Sequence, residues 1–247
     1  MATVLIPLPD TDFDTTEIAV PWKLLTEAGH QCIFANEKGA TSACDPLLLT
    51  GVVFGKLGAA PEPKAFYAEL VTQPAFLHPL SWRECSAAQF DALLLGGGHA
   101  PGMKQYLDST EVFRLVREFV EAPQKPIAAI CHGVIPMART QLATGHSALH
   151  GMRTTCLPKY MERAAYFSTF WRHGKYYRTY PEYVEDEVCR ALAAPTDFER
   201  GPKTLSKRGT ASDDTAAFVV EDPAGRYLSG RWPGDAYLLS KRFLARL

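Results

Sequence analysis

The sequence predicts an α/β fold, a mostly parallel sheet with helices on both faces, and three observations carry that expectation. Strand-like and helix-like segments alternate along the chain. The runs ATVLIPL (2–8), apolar but for Thr3, and PIAAI (126–130), apolar throughout, read as strands covered on both faces. A strand, helix, strand unit closes within residues 2–36, and such units favour parallel pairing.

The elements follow in order. ATVLIPL reads as a buried first strand bounded by Pro and Asp. Thr15, Thr16 and Glu17 open a helix whose apolar positions Ile18, Trp22, Leu24, Leu25 and Ala28 recur at helical spacing and stop at Gly29. HQCIFAN (30–36) is a second strand. Residues 38–80 break the rhythm with several Pro and Gly, one helix near 63–72 and the pair His78-Pro79; they read as an insertion. FDALLLGGG (90–98) is a strand entering a glycine turn. Asp108 or Ser109 caps the helix that follows, and KPIAAI is a fourth strand running directly into CHGVIPMAR, read as a helix. RTTCL (153–157) reads as a short strand. An aromatic-rich helical elaboration covers about 158–194, ending in a helix PEYVEDEVCRAL with Pro181 at its first position. A strand-turn-strand (215–231) and a final helix from about Gly234 to Leu247 complete the chain. No repeat or linker divides it, so residues 1–247 are expected to form one domain.

Composition narrows the function classes. With 47% hydrophobic and 21% charged residues, the chain is globular, and a formal net charge of -1 gives no basic surplus for nucleic acid or an anionic membrane. Its apolar runs are too short to span a bilayer, and the start lacks the basic and apolar stretches of a secretory signal. Six cysteines (Cys32, Cys44, Cys85, Cys131, Cys156 and Cys189) at irregular spacing read as reduced thiols, and a cytoplasmic protein is expected.

Chemistry concentrates at two turns. In IAAI-Cys131-His132-Gly133 a buried strand ends and a helix begins with a cysteine at the corner. That is a nucleophile elbow, which lifts the reactive atom to the carboxyl edge of the sheet. A helix start there favours a thiolate, and Gly133 lets the next turn approach closely. Gly96, Gly97, Gly98 and His99 follow another apolar strand, where the backbone N–H groups of the glycine turn together with that of His132 can line an oxyanion hole. Glu17 lies on the first helical turn at the same edge; dipole stabilisation is its simplest role. Neither G-x-G-x-x-G nor a P-loop occurs, and His78, His99, His132, His146 and His150 show no metal-ligand spacing. No nucleotide, cofactor or metal is expected.

Taken together, EIAVPWKLLTEAG, FDALLLGGGH, PIAAICHG and GRYLSGRWPGDAYLLSKRFL resemble the ThiJ/PfpI superfamily, of class I glutamine amidotransferase-like fold. The layout, with CDP and HPLSW ahead of FDALLL, is most similar to the glyoxalase III group. The resemblance implies a flavodoxin-like three-layer sandwich. It also implies that Cys131 is the nucleophile, Glu17 its carboxyl partner and His132 the accompanying imidazole, with Gly97, Gly98, His99 and Gly133 around them. One departure stands out: where hydrolytic relatives place an acid that orients the histidine, this chain has Lys159, and Glu162 lies one helical turn on.

The expected function is therefore a cofactor-independent cysteine enzyme acting on a small carbonyl or amide compound, glyoxalase III-like or amidase-like. The alternative is a stress-response redox sensor or chaperone with an oxidisable Cys131. The resemblance implies a homodimer, and Tyr160 to Tyr183, dense in aromatics and arginine, is either its interface, a lid over Cys131 or ordinary helix packing.

Overall fold

The computed structural model describes Met1–Leu247. In chain order its strands are β1 (Thr3–Pro7), β2 (Thr11–Phe13), β3 (Gln31–Asn36), β4 (Ala43–Cys44), β5 (Leu80–Ser81), β6 (Ala92–Leu95), β7 (Ile127–Ile130), β8 (Val219–Glu221) and β9 (Tyr227–Gly230). The helices are α1 (Thr15–Glu27), α2 (Pro46–Thr50), α3 (Pro61–Leu70), α4 (Pro74–Leu77), α5 (Met103–Leu107), α6 (Thr110–Val120), α7 (Ile135–Arg139), α8 (Lys159–His173), α9 (Val184–Ala191) and α10 (Ala236–Leu244).

Seven strands form the main sheet in the order β5-β3-β1-β6-β7-β9-β8, parallel except for the β8–β9 pair. This is the flavodoxin-like arrangement expected from the sequence. β6 and β7 are buried at every position, which explains their unbroken apolar sequences ALLL and IAAI. α1 packs on α3 and α10; α6 packs on α7, and α7 on α9. One contiguous cluster of 58 buried residues runs through these layers. No helix is long and apolar enough to cross a membrane.

From β1 the chain moves to β3 on one side, then crosses to β6 on the other. Crevices at such a reversal, outside the carboxyl ends of the strands, are where open α/β sheets hold ligands. Three loops meet there: residues 8–14, residues 96–102 and the turn that begins at Cys131. They are tied by Asp14 N–H to Gly97 O (2.8 Å) and by Gly102 N–H to Asp12 Oδ2 (2.7 Å).

Several local expectations are corrected. RTTCL is not a strand; Thr154 makes one isolated bridge to Phe198, and its hydroxyl and the Thr155 N–H bond to side chains of β9 instead. CHGVIPMAR is a tight 3-10 turn over Cys131–Val134 followed by the short α7. Pro136, early in α7, lacks the N–H that would extend the helix backwards. α9 starts at Val184, three residues after Pro181. Within 38–80, β4 pairs with β2 and β5 joins the main sheet, pairings too short to show in an alternation pattern.

α1 is capped by Asp14, not by the threonines, whose hydroxyl oxygens have no partner; the Asp14 carboxylate accepts from Thr16 N–H (2.8 Å) and Glu17 N–H (3.1 Å). Burial raises its pKa to about 6 against these bonds and the nearby Arg208 charge. A carboxyl whose folded pKa lies above its unfolded value destabilises the fold once it ionises, and this cost disappears below the unfolded value. Asp14→Asn keeps the acceptor and loses the charge. The variant is expected to be more stable than the wild type at pH 7.5, by on the order of 2 kcal/mol, with the gap closing near pH 4. Urea unfolding midpoints at the two pH values measure it; equal midpoints at pH 7.5 would contradict the burial argument.

Candidate active site

β7 delivers Cys131 into a left-handed backbone conformation, φ 59°. A non-glycine residue there is strained by roughly 1–2 kcal/mol. The strain persists because the turn is wedged against β6: a Cβ on Gly133 would stand 2.2 Å from Leu95 O and 2.7 Å from Gly96 O, both backbone atoms. The result is the sharp corner of a nucleophile elbow.

Glu17, Cys131 and His132 meet in the crevice and are almost wholly buried. Glu17 Oε2 accepts from Gly97 N–H at 2.9 Å, while Oε1 meets no N–H or O–H donor. The carboxyl lies beside the Cys131 thiol, close enough for each to shift the other's titration. Burial, reinforced by the Asp14 charge, holds Glu17 well above the usual carboxylate range. The neutral carboxyl is therefore favoured, and with Oε2 engaged as an acceptor its proton belongs on Oε1.

Cys131 Sγ is 3.6 Å from His132 Nδ1. The other imidazole nitrogen, Nε2, lies 3.3 Å from Thr179 Oγ1, and the Thr179 hydroxyl donates to His99 O at 2.7 Å. A hydroxyl has one proton, so Thr179 can only accept from His132; Nε2 then carries the imidazole proton and Nδ1 presents its lone pair to the thiol. Burial keeps His132 well below its ordinary pKa, assisted by His99, Arg139 and Arg178. Thr179 thus occupies the orienting position in place of an acid. Sequence inspection missed it, since a threonine in a loop 47 residues away carries no signal. Glu162 is taken by Arg178 (2.5 Å) and by Val184 N–H (3.0 Å), and Lys159 pairs with Asp186 (2.6 Å).

Two expectations are reversed. The helix start does not win a thiolate: burial, then the acidic groups of Glu17 and Asp14, push the Cys131 thiol well above its ordinary value, against the opposing pull of the His132 backbone N–H. Gly97 N–H is committed to Glu17, so it is not free for an oxyanion; the N–H groups of Gly98 and His132 remain without a backbone acceptor. Gly97 must nonetheless be glycine, because a Cβ would stand 2.8 Å from both Glu17 Oε2 and His132 N.

His99 stacks edge-on against His132, ring centroids 4.7 Å apart, and against Tyr177 at 6.1 Å. Its Nε2 is buried without a partner. The ligating atoms of His99, Cys131 and His132 all lie within 4.8 Å of one another, a donor set suited to a metal ion that linear spacing does not reveal. His146 and His150 stack on each other at 4.0 Å, away from this group. His99 also borders a cavity of about 280 Å³ walled by Leu57, Met161, Ala165, Tyr177 and Trp232, with Arg208 as its charged group. Other crevices on the molecule are larger, but they touch neither Cys131 nor His99. α8 therefore turns one face to this cavity, and Phe167, Phe170 and Trp171 are exposed on the other.

A flavodoxin-like sheet with a cysteine elbow, an adjacent imidazole and a helix-borne glutamate defines a class of cysteine-centred α/β proteins. Residues 8–202 match the model of the family described as ThiJ/PfpI family-like, and the chain belongs to that family. It is 30% identical to a deglycase of Pyrococcus abyssi over 95% of this chain and 93% of that one. It is 29% identical to an uncharacterised protein of Schizosaccharomyces pombe over 96% and 80% of the two chains. Among solved structures, glyoxalase III of Candida albicans superposes with a TM-score of 0.70 at 18% identity, covering 100% and 97% of the two chains.

Two outcomes test this geometry. Iodoacetamide labelling of Cys131 is expected to be slow at pH 7 and to accelerate into the alkaline range; a plateau reached by pH 6 would show a thiolate that burial does not permit. Gly133→Ala is expected to cost about 2–3 kcal/mol or more, read from denaturant unfolding, because the clash is with backbone and cannot relax by side-chain rotation.

Proposed function

We propose that this chain is a cofactor-independent cysteine enzyme that converts a 2-oxoaldehyde into the corresponding 2-hydroxy acid. The observation that carries the reading is the Cys131 thiol facing the unprotonated Nδ1 of His132, with Thr179 holding the ring in that tautomer. The Cys131 sulfur attacks the aldehyde carbon, and its proton passes through Nδ1 to the carbonyl oxygen. A neutral hemithioacetal results, which suits a site that penalises net charge. The N–H groups of Gly98 and His132 are the available donors to the oxygen during this step. His132 or Glu17 moves the C1 proton to C2 while the C1 hydroxyl proton passes to the C2 oxygen, which yields the thioester of the 2-hydroxy acid; water then releases the acid and restores the thiol. The cavity beside His99 is the substrate's approach, and movement of that ring opens the way to the sulfur. Names such as deglycase and glyoxalase III among similar proteins favour carbonyl chemistry over amide hydrolysis.

A second reading is favoured by the burial of the thiol beside a protonated carboxyl. In that reading Cys131 is a redox sensor whose sulfinate is stabilised by Glu17, and turnover is incidental. We also propose that residues 1–247 act as one unit, with 38–80 and 158–194 as elaborations of the shared core. Six unpaired thiols favour a reducing, cytoplasmic setting. The exposed Phe54, Phe167, Phe170 and Trp171 favour a homodimer through the outer face of α8. Light scattering of the wild type and of Phe167→Ser/Trp171→Ser measures the last point, and a monomeric wild type would remove it.

The decisive assay follows methylglyoxal and phenylglyoxal consumption with hydroxy-acid product analysis. Cys131→Ala is expected to abolish turnover. Thr179→Val is expected to lower kcat by about 10–100-fold with little change in KM, because the ring loses the bond that fixes its tautomer. Wild-type protein that leaves both aldehydes unchanged but accumulates Cys131 sulfinate under mild peroxide would overturn the enzyme reading in favour of the sensor.

A further inference from the structure

Cys131 and His132 of the reacting corner, together with His99, also meet the geometric demand of a transition metal. Zinc bound tetrahedrally, with Zn–S about 2.3 Å and Zn–N about 2.0–2.1 Å, separates a sulfur and a nitrogen ligand by about 3.6 Å. Cys131 Sγ and His132 Nδ1 are 3.6 Å apart. The third donor is His99, whose Nε2 is buried with no partner and whose ligating atom lies within 4.8 Å of the other two. Ligation requires the His99 ring, which borders the cavity, to turn towards the sulfur.

The outer partners fit as well. A metal-bound imidazole usually donates its second N–H to an oxygen, which fixes the ring. His132 Nε2 does this towards Thr179 Oγ1, and the Thr179 hydroxyl in turn donates to the backbone carbonyl of His99, tying the His132 ring and the His99 main chain to one hydroxyl. One thiolate and two imidazoles form a borderline-soft donor set, which selects zinc, or cobalt as its spectroscopic substitute, over magnesium or calcium. Three protein ligands leave one position open.

We propose that His99, Cys131 and His132 form a reversible binding site for a borderline-soft divalent cation, zinc by its chemistry, that holds the nucleophile in an inactive state. Binding replaces the S–H bond with an S–metal bond and releases one proton to solvent. It also occupies the Nδ1 lone pair, so sulfur and base are withdrawn together. The inhibitory consequence rests on the enzyme reading above; the binding does not.

The test is a titration of reduced, chelator-treated protein with Co²⁺, then with Zn²⁺ as competitor. One equivalent of Co²⁺ is expected to produce a near-ultraviolet thiolate-to-cobalt charge-transfer band that Zn²⁺ displaces. Cys131→Ser loses the band. His99→Ala weakens Co²⁺ binding by at least about tenfold, and Thr179→Val by about 10–100-fold as an outer partner. Cys189→Ser, remote from the group, leaves binding unchanged, and far-ultraviolet circular dichroism checks that each variant is folded. A band that persists in Cys131→Ser, or equal affinity in folded His99→Ala, overturns the site. Aldehyde turnover that continues at saturating Zn²⁺ overturns the inhibition. Cobalt binding with no aldehyde turnover would sustain the site while sinking the enzyme reading.

Discussion

The left-handed backbone at Cys131 is the constraint on which the rest of the site depends. A residue in the ordinary extended conformation would continue β7 and send its side chain to one face of the sheet. At φ 59° the chain reverses instead, and Sγ stands at the strand's carboxyl end beside Glu17. Such a turn needs its neighbours to be small. Gly133 lets the turn settle on the carbonyls of Leu95 and Gly96, and Gly97 lets His132 N and the Glu17 carboxylate approach the same point. Local strain of this kind is maintained by the packing of three parallel strands, β1, β6 and β7, whose buried apolar residues fix the loops relative to one another.

Burial then determines the protonation states. Glu17, Cys131 and His132 all favour their neutral forms, because each charged form is denied water. This differs from a cysteine–imidazolium ion pair resting in solvent. A neutral thiol beside a neutral base reacts without leaving net charge behind when both partners of the addition are uncharged. The same neutral donors make the corner receptive to a soft cation. Substrate addition and metal ligation compete for the same sulfur and the same lone pair.

The elaborations around the core serve this corner through specific bonds. Asp45 caps α2 and accepts from Tyr177 (2.8 Å) and Tyr176 (3.1 Å), linking the 38–80 segment to the stretch after α8. Tyr177 packs on His99, and Thr179, two residues on, bonds to both His99 and His132. The aromatic stretch thus does two jobs at once: its inner residues wall the cavity and orient the imidazole, and its outer aromatics face solvent.

Much of this was legible in the sequence because it is local. Apolar runs covered on both faces announce central strands, so β1, β6 and β7 are readable from Val4–Ile6, Ala92–Leu95 and Ile127–Ile130 alone. Cysteine, histidine and glycine in succession after such a strand mark the elbow, and motif resemblance pointed to Glu17. Short pairings such as β2 with β4, and the extended segment around Thr154, escaped detection because a few residues carry no periodicity. By itself the sequence determined the sheet class, the elbow and the residues at its corner. Tertiary structure alone decided that Thr179 orients His132, that His99 joins Cys131 and that the thiol is held neutral. These depend on loops from distant parts of the chain meeting at one sheet edge, and on how completely they exclude water there, neither of which is encoded in neighbouring residues.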